Sequence, residues 1–216
     1  MKIRTINDLQ DAIDAEMGWR KRELSAVKAN IQSARNFAKD TALRSGVTLL
    51  YAHWEGAIKN IAEFYLMYVS SLKLPYSDLK FNFLALSVSE KTKLFSETKK
   101  STLHTKIVGE IFDLYSSKSQ IPYSGIIKTN SNLNSEVFVE IMSVIGLETD
   151  KYETNFQLID TVLLNMRNKI AHGEKLASID LDEKRYNEIH DKIFTLIDMF
   201  SVQVLNAAVN KEYLKR

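Results

Sequence analysis

TALRSGVTLLYAHWEGAIKNIAEFYLMYVSSL, residues 41–72, is the stretch on which the fold turns. Leu43, Val47, Leu50, Trp54, Ile58, Ile61, Tyr65 and Tyr68 recur at steps of three and four, the spacing of one face of an α-helix. No proline interrupts the run, and Pro75 ends it, because a proline disfavours helical geometry in the residue before it. A helix this long and this apolar needs long partners.

The flanking sequence supplies them. Ile6, Leu9, Ile13, Met17, Leu24, Val27 and Ile31 form a second stripe, with Arg20 on the same line. Arg20 is read first as snorkelling at the bundle edge, the other reading being that it meets a buried carboxylate. Near the C-terminus, Tyr186, Ile189, Ile193, Leu196, Phe200 and Val204 form a third stripe, opened by Asp180-Leu181-Asp182-Glu183 as a capping box. Shorter helices are expected over 101–116 and over 135–145 with Gly146 as its stop, and a fourth long helix over 154–171 with Gly173 as its stop. Residues 73–134 are otherwise irregular, and 122–134 is rich in turn residues. No segment alternates over strand length. The expectation is an all-α, up-and-down bundle of four to five long helices, one domain over 1–216, with 73–134 as an insertion.

Composition sets outer bounds. The chain of 216 residues, 45% hydrophobic and 26% charged, has the make-up of an ordinary globular protein. With no cysteine it has no disulfide, thiolate zinc site or cysteine nucleophile, which fits a reducing, cytoplasmic setting. The first residues carry charges of both signs and no signal-peptide core, and no run of some eighteen apolar residues suggests a membrane span. A net charge of +2 does not mark a nucleic-acid binder. Its distribution is uneven, since residues 73–128 hold nine Lys against five acidic residues. That segment reads as a solvated surface or as a guide for a polyanion.

The chemistry concentrates in RNKIAHG, residues 167–173. An Arg can hold a phosphate through two hydrogen bonds, and a His can move a proton near neutral pH. On a helical wheel Ile159, Leu163, Met166 and Ile170 share the core arc, and Arg167 lies beside it. Asn168 and His172 fall outward with Thr161 and Leu164. An exposed leucine among neutral polar residues reads as a contact surface, so Leu164, Thr161, Asn168 and His172 are expected at a two-fold interface. From spacing alone His172 reads first as a plain cap of the helix terminus, where a cation is mildly favoured. Glu55, after Trp54, could orient Arg167 or His172 across the bundle. His53, His104 and His190 lack metal-ligand spacing and read as structural or surface residues, and Asp8, Asp11 and Asp14 as a solvated face. No metal or cofactor is expected. There is no phosphate-binding glycine loop and no nucleophile elbow.

RNKIAHG closely resembles the R-x(4–6)-H signature of the HEPN superfamily, helical domains named for higher eukaryotes and prokaryotes nucleotide-binding. Asn168 matches the polar residue that commonly follows the Arg. Tyr51-Ala52-His53-Trp54-Glu55-Gly56, Leu158-Ile159-Asp160 and the long helix after Gly173 extend the likeness to single-domain, toxin-like HEPN proteins of bacteria. The resemblance covers most of the chain, residues 73–134 least. It implies a metal-independent endoribonuclease acting as a homodimer, in toxin–antitoxin or antiphage systems. It also implies Arg167 and His172 as the catalytic pair, Asn168 as support, RNA as substrate, and a cognate antitoxin or defence component as partner. The alternative is a non-catalytic HEPN-fold module that binds a protein or a nucleotide.

Overall fold

The computed structural model describes residues 2–175 and 179–215. Among them the regular structure is helical: α1 (Ile6–Ser33), α2 (Asn36–Ser71), α3 (Phe81–Glu97), α4 (Ser101–Tyr115), α5 (Ser135–Ile145), α6 (Asn165–Ala171) and α7 (Glu183–Val209). A 3₁₀ turn at Glu153–Asn155 leads to a π-helical segment, Leu158–Leu164, that runs straight into α6. The all-α bundle read from the sequence is present. Its long members, α1, α2 and α7, have 28, 36 and 27 residues and so span roughly 40–55 Å each.

α2 is the hub, touching α1, α7, α5, the π-helical segment and α6. Its stripe is buried as expected, with Trp54, Ile58 and Tyr65 fully enclosed. It starts at Asn36, ahead of the expected 41, because the turn after α1 is only Ala34 and Arg35. Arg35 Nη1 closes that turn on the carbonyls of Gln32 and Ala34, at 2.8 and 2.9 Å. An aromatic node centred on Phe138 of α5 meets Trp54, Tyr152 and Phe200 at ring separations of 5.6, 4.8 and 6.1 Å. This node seats α5, and the chain leading to α6, against α2 and α7. By length and composition α7 is, among the described residues, the one helix able to cross a membrane, but its apolar stripe faces this core.

Two sequence expectations need correction here. The reciprocal capping box belongs to α1, where Thr5 Oγ1 accepts from Asp8 N and Asp8 Oδ2 accepts from Thr5 N. At α7 Asp182 alone caps, accepting from Arg185 N at 2.7 Å, since the third helical residue is an arginine and cannot return the bond. Residues 73–134, in turn, hold a second helix, α3. Its apolar residues crowd into the first half and only Phe83 and Val88 are buried, so the helical period is faint. Tertiary bonds position it: Lys80 N donates to Tyr213 O at 2.9 Å and Asn82 Nδ2 to Val144 O at 2.9 Å. Residues 116–134 form neither helix nor strand, as their turn residues suggest.

Arg20 does not snorkel. It is 4% exposed, and its Nε and Nη2 donate to Glu16 Oε1, one turn earlier, at 3.1 and 2.5 Å. Nη1 donates to the His53 carbonyl at 3.2 Å and lies 3.1 Å from His53 Nδ1. The guanidinium fits because α2 has Gly56 opposite; a Cβ there would sit 2.7 Å from Nη2. Burial by itself would raise the Glu16 carboxyl, but hydrogen bonds from Arg20, Trp19 and Asn60 outweigh it and hold Glu16 below the ordinary carboxylate range. His53 is depressed, first by burial and then by the Arg20 charge. Glu23, 2.7 Å from Nε2 but out of hydrogen-bond alignment, offsets this only in part.

Removing one partner of a buried ion pair leaves the other charge uncompensated. Glu16→Ala should therefore cost about 3 kcal/mol in urea denaturation, whereas Asp11→Ala on the exposed face should stay within about 0.5 kcal/mol. Both pKa shifts act in one direction. Unfolded His53 gains a proton below its ordinary 6.5 while the folded residue resists it, so stability drops as pH falls below that value. The Glu16 contribution, present above its ordinary 4.5, is lost as pH falls further through the folded value. Thermal unfolding followed from neutral to acidic pH should show the upper step, and His53→Gln should remove it. An upper step that survives the substitution contradicts this assignment.

Candidate active site at the end of α6

The helix that bears residues 167–173 is not regular. Its first half, Leu158–Leu164, is π-wound, with wider turns that rotate the following residues away from the α-helical wheel. Leu163 and Leu164, adjacent in sequence, are both buried in consequence. Leu164 therefore cannot belong to an outward face, which corrects the wheel reading. Thr161, Asn165 and His172 are exposed and Asn168 is half-buried, so Asn165 stands where Leu164 was expected.

Arg167 is held on three sides. Its guanidinium carbon lies 4.3 Å from the ring centroid of Tyr51 on α2. Nη1 donates to Asn168 Oδ1 at 2.7 Å, and Nη2 donates to the Ser131 carbonyl at 2.5 Å. That carbonyl is presented by a loop in which Asn130 and Ser131 both take positive φ, at 53° and 54°, a region that L-residues other than Asn or Asp seldom enter. The loop is anchored from the π-helical segment: Asp160 Oδ1 accepts from Ser135 N at 2.7 Å and Asp160 Oδ2 from Ser135 Oγ at 2.5 Å. Two of the five guanidinium N–H groups are thus engaged, and among the described residues the other three make no hydrogen bond.

His172 is the C-cap of α6 and is exposed. Gly173, at φ +80°, completes a Schellman ending in which Gly173 N donates to Ile170 O and Glu174 N to Lys169 O. Arg44 of α2 reinforces the same end, with Nη2 on Ile170 O at 3.3 Å and Nη1 on Glu174 O. An open groove of about 480 Å³, lined by Thr41, Arg44, Ser45, Thr48, Leu49 and Ile170, runs beside it.

Glu55 makes no hydrogen bond with Arg167 or His172 among the described residues. Its charge is felt instead at Tyr51, one turn earlier. Burial first, then the Glu55 charge, push the Tyr51 hydroxyl up to about 12, against opposing influences from Leu133 N–H and Arg167. The phenol stays protonated, and its oxygen accepts from Leu133 N at 2.6 Å. Of the residues around Arg167 and His172, the sequence reading named Tyr51 only within the 51–56 cluster and did not single out Arg44. The signal was present, because Arg44, Thr48, Tyr51 and Glu55 recur at helical spacing as a polar line beside the core stripe of α2. Of the other histidines, His53 belongs to the Arg20 network and His190 pairs with Asp191 at 2.8 Å. His104 lies in the α3–α4 turn region, on the carbonyls of Phe95 and Thr98.

In one copy the arrangement offers an arginine with spare donors and an exposed imidazole, roughly 140° apart around the helix. It can bind an anion and exchange a proton, at two separated points. Tyr51→Phe keeps the ring under Arg167 but strands the buried Leu133 N–H, and should cost about 1–3 kcal/mol in chemical denaturation. Gly173→Ala meets no atom within 4 Å, so its expected cost of about 1 kcal/mol isolates the left-handed backbone alone. A neutral Tyr51→Phe would show that water already serves that N–H.

Comparison with curated proteins and with solved structures returns no match for the chain. The family model described as RiboL-PSP-HEPN matches residues 15–206, from within α1 to near the end of α7, with Arg167 and His172 inside it. The chain belongs to the HEPN superfamily, within the family that this model defines.

Proposed function

We propose that this HEPN protein is a metal-independent endoribonuclease whose site is assembled from two copies of the chain. The observation that carries the reading is the pairing of a pre-positioned Arg167, with three donors to spare, and an exposed His172 fixed on a doubly capped helix end. RNA brings its own nucleophile. In the proposed reaction the ribose 2′-OH gives its proton to one His172 and attacks the adjacent phosphorus. The P–O5′ bond breaks, and His172 of the second copy returns a proton to the departing 5′ oxygen. The products are a 2′,3′-cyclic phosphate and a 5′-hydroxyl. Arg167 stabilises the charge that gathers on the phosphoryl oxygens, and Asn168 holds Arg167 in place.

Two features support a two-fold arrangement. Thr161, Asn165, Asn168 and His172 form a neutral polar strip without an acid to repel a phosphate. Phe37, one turn before Thr41 of the groove lining, is 90% exposed and apolar, a residue that a second copy would cover. In the cell we place the activity in growth inhibition or antiphage defence, restrained by a cognate antitoxin or defence component. The second reading, a non-catalytic binding module, is favoured by one observation: both Nη atoms of Arg167 already have acceptors within the chain.

Purified protein should cleave RNA in EDTA, and Arg167→Ala and His172→Ala should each lower the rate by at least about 100-fold. Phe37→Glu should shift the mass in light scattering from dimer to monomer and take cleavage with it. Full activity in either motif variant, or loss of cleavage on chelation, would sink the ribonuclease reading. A growth defect on expression that His172→Ala leaves unchanged counts for the binding module.

A further inference from the structure

Two arginines stand along the seam where α2 and α6 meet, Arg44 and Arg167, and both are half-buried. Arg20 and Arg185, by contrast, face the carboxylates of Glu16 and Glu188. Arg167 is anchored by the Ser131 carbonyl and Asn168 Oδ1, and Arg44 by the carbonyls of Ile170 and Glu174. Those anchors are dipoles, so neither guanidinium has its charge neutralised by them. Asp40 and Glu55 lie one turn beyond either end of the Arg44–Tyr51 stretch, yet among the described residues neither arginine makes an ion pair. Three N–H groups of Arg44, like three of Arg167, have no acceptor among the described residues.

The spacing limits what can bridge the pair. Arg167 lies on the ring of Tyr51, and Arg44 stands seven residues earlier on α2, about 10 Å along the helix axis. One phosphate cannot engage both. Two phosphates of one strand can, since a stacked strand advances about 3.4 Å per nucleotide and an unstacked one more. The surface between them suits what lies between two phosphates. Ser45 and Thr48 line the groove with hydroxyls, and Leu49 and Ile170 give it apolar surface for a base. Thr48 Oγ1 donates to Arg44 O at 3.1 Å, which leaves its oxygen to accept from a ribose hydroxyl. The carbonyls that Arg44 holds belong to the residues two before and two after His172, so a phosphate on Arg44 would lie beside the imidazole. A guanidinium fork also fits a carboxylate; the hydroxyl-lined interval favours the nucleic acid over an acidic peptide.

We infer that Arg44 is a second phosphate-binding residue of the site, so that the α2–α6 seam holds one RNA strand at two phosphates, one on Arg167 and a flanking one on Arg44. That the phosphate on Arg167 is the one cleaved rests on the ribonuclease reading above. The two-point grip does not.

Titration calorimetry on the full chain tests it, with 2′-O-methyl strands that the proposed reaction cannot cut and that end in hydroxyls. A dinucleotide carries one phosphate and a pentanucleotide four. Arg167→Ala should weaken both. Arg44→Ala should weaken the pentanucleotide at least about 5-fold and lower its slope of log K against log salt by about 0.7, the share of one single-strand phosphate contact. The dinucleotide should stay close to wild type, and Arg44→Lys, which keeps the charge, should recover most of the loss. Ser45→Glu leaves the Arg44 anchors alone and sets a negative charge in the groove; it should reproduce the loss even where circular dichroism shows Arg44→Ala to be misfolded. Wild type that binds no pentanucleotide overturns the grip. So does a folded Arg44→Ala that weakens both strands alike, as a mere brace of α6 would, or that alters only the light-scattering mass, as a contact between copies would. A pentaglutamate peptide that competes as well as the strand also overturns it. Cleavage of unmodified RNA, measured in parallel, separates the two ideas. Length-dependent binding through Arg44 without cleavage retires the ribonuclease and keeps the grip; cleavage with an unchanged KM in Arg44→Ala retires the grip and keeps the ribonuclease.

Discussion

Enclosure of α2 is the constraint from which the rest of the structure follows. A 36-residue helix that is apolar around most of its circumference cannot rest on one neighbour; it has to be surrounded. α1 and α7 cover it along their length, α5 is docked through Phe138, and the π-helical segment with α6 closes the remaining side. Two places on α2 are polar, and each has become a device. Where Gly56 leaves room, the Arg20–Glu16 pair of α1 is tied to α2 through the His53 carbonyl and the Asn60 amide. Where Arg44, Thr48, Tyr51 and Glu55 line up, the helix meets α6 and supports residues 167–173 from beneath.

Much of this was legible in the amino-acid sequence, for reasons that lie in how strongly each segment repeats. The stripes of α1, α2 and α7 persist over many turns and locate themselves. Gly146 and Gly173 mark helix ends because the left-handed backbone at those points suits glycine. α3 escaped notice because it buries little beyond Phe83 and Val88, and bonds to Tyr213 and Val144, distant in sequence, hold it. Arg20 misled for a related reason. A charge on an apolar stripe looks like an edge residue until its acceptor is seen, and that acceptor, Glu16, lies one turn away on the same helix.

The site shows the opposite balance. Arg167, Asn168 and His172 stood out in the sequence, but their surroundings did not. The wheel assumed a uniform α-helix from 154 to 171, and the π turns broke that assumption where it mattered, turning Leu164 inward. The cradle for Arg167 draws on Tyr51, Ser131 and, through Ser135, Asp160, positions that share no motif and come together only by folding. Residue chemistry announces which groups can act; the side chains that aim them are scattered along the chain.

The bond from Arg167 to the Ser131 carbonyl has a further meaning for how an anion would be received. Each Nη carries two N–H groups, so a phosphate would take the second hydrogen of each and leave that carbonyl its donor. The carbonyl belongs to Ser131, the second of two consecutive residues in left-handed geometry ahead of the start of α5. The loop would therefore stay in place while an anion is received, and the guanidinium would meet it already aimed, its freedom given up when the chain folds and not when a ligand arrives.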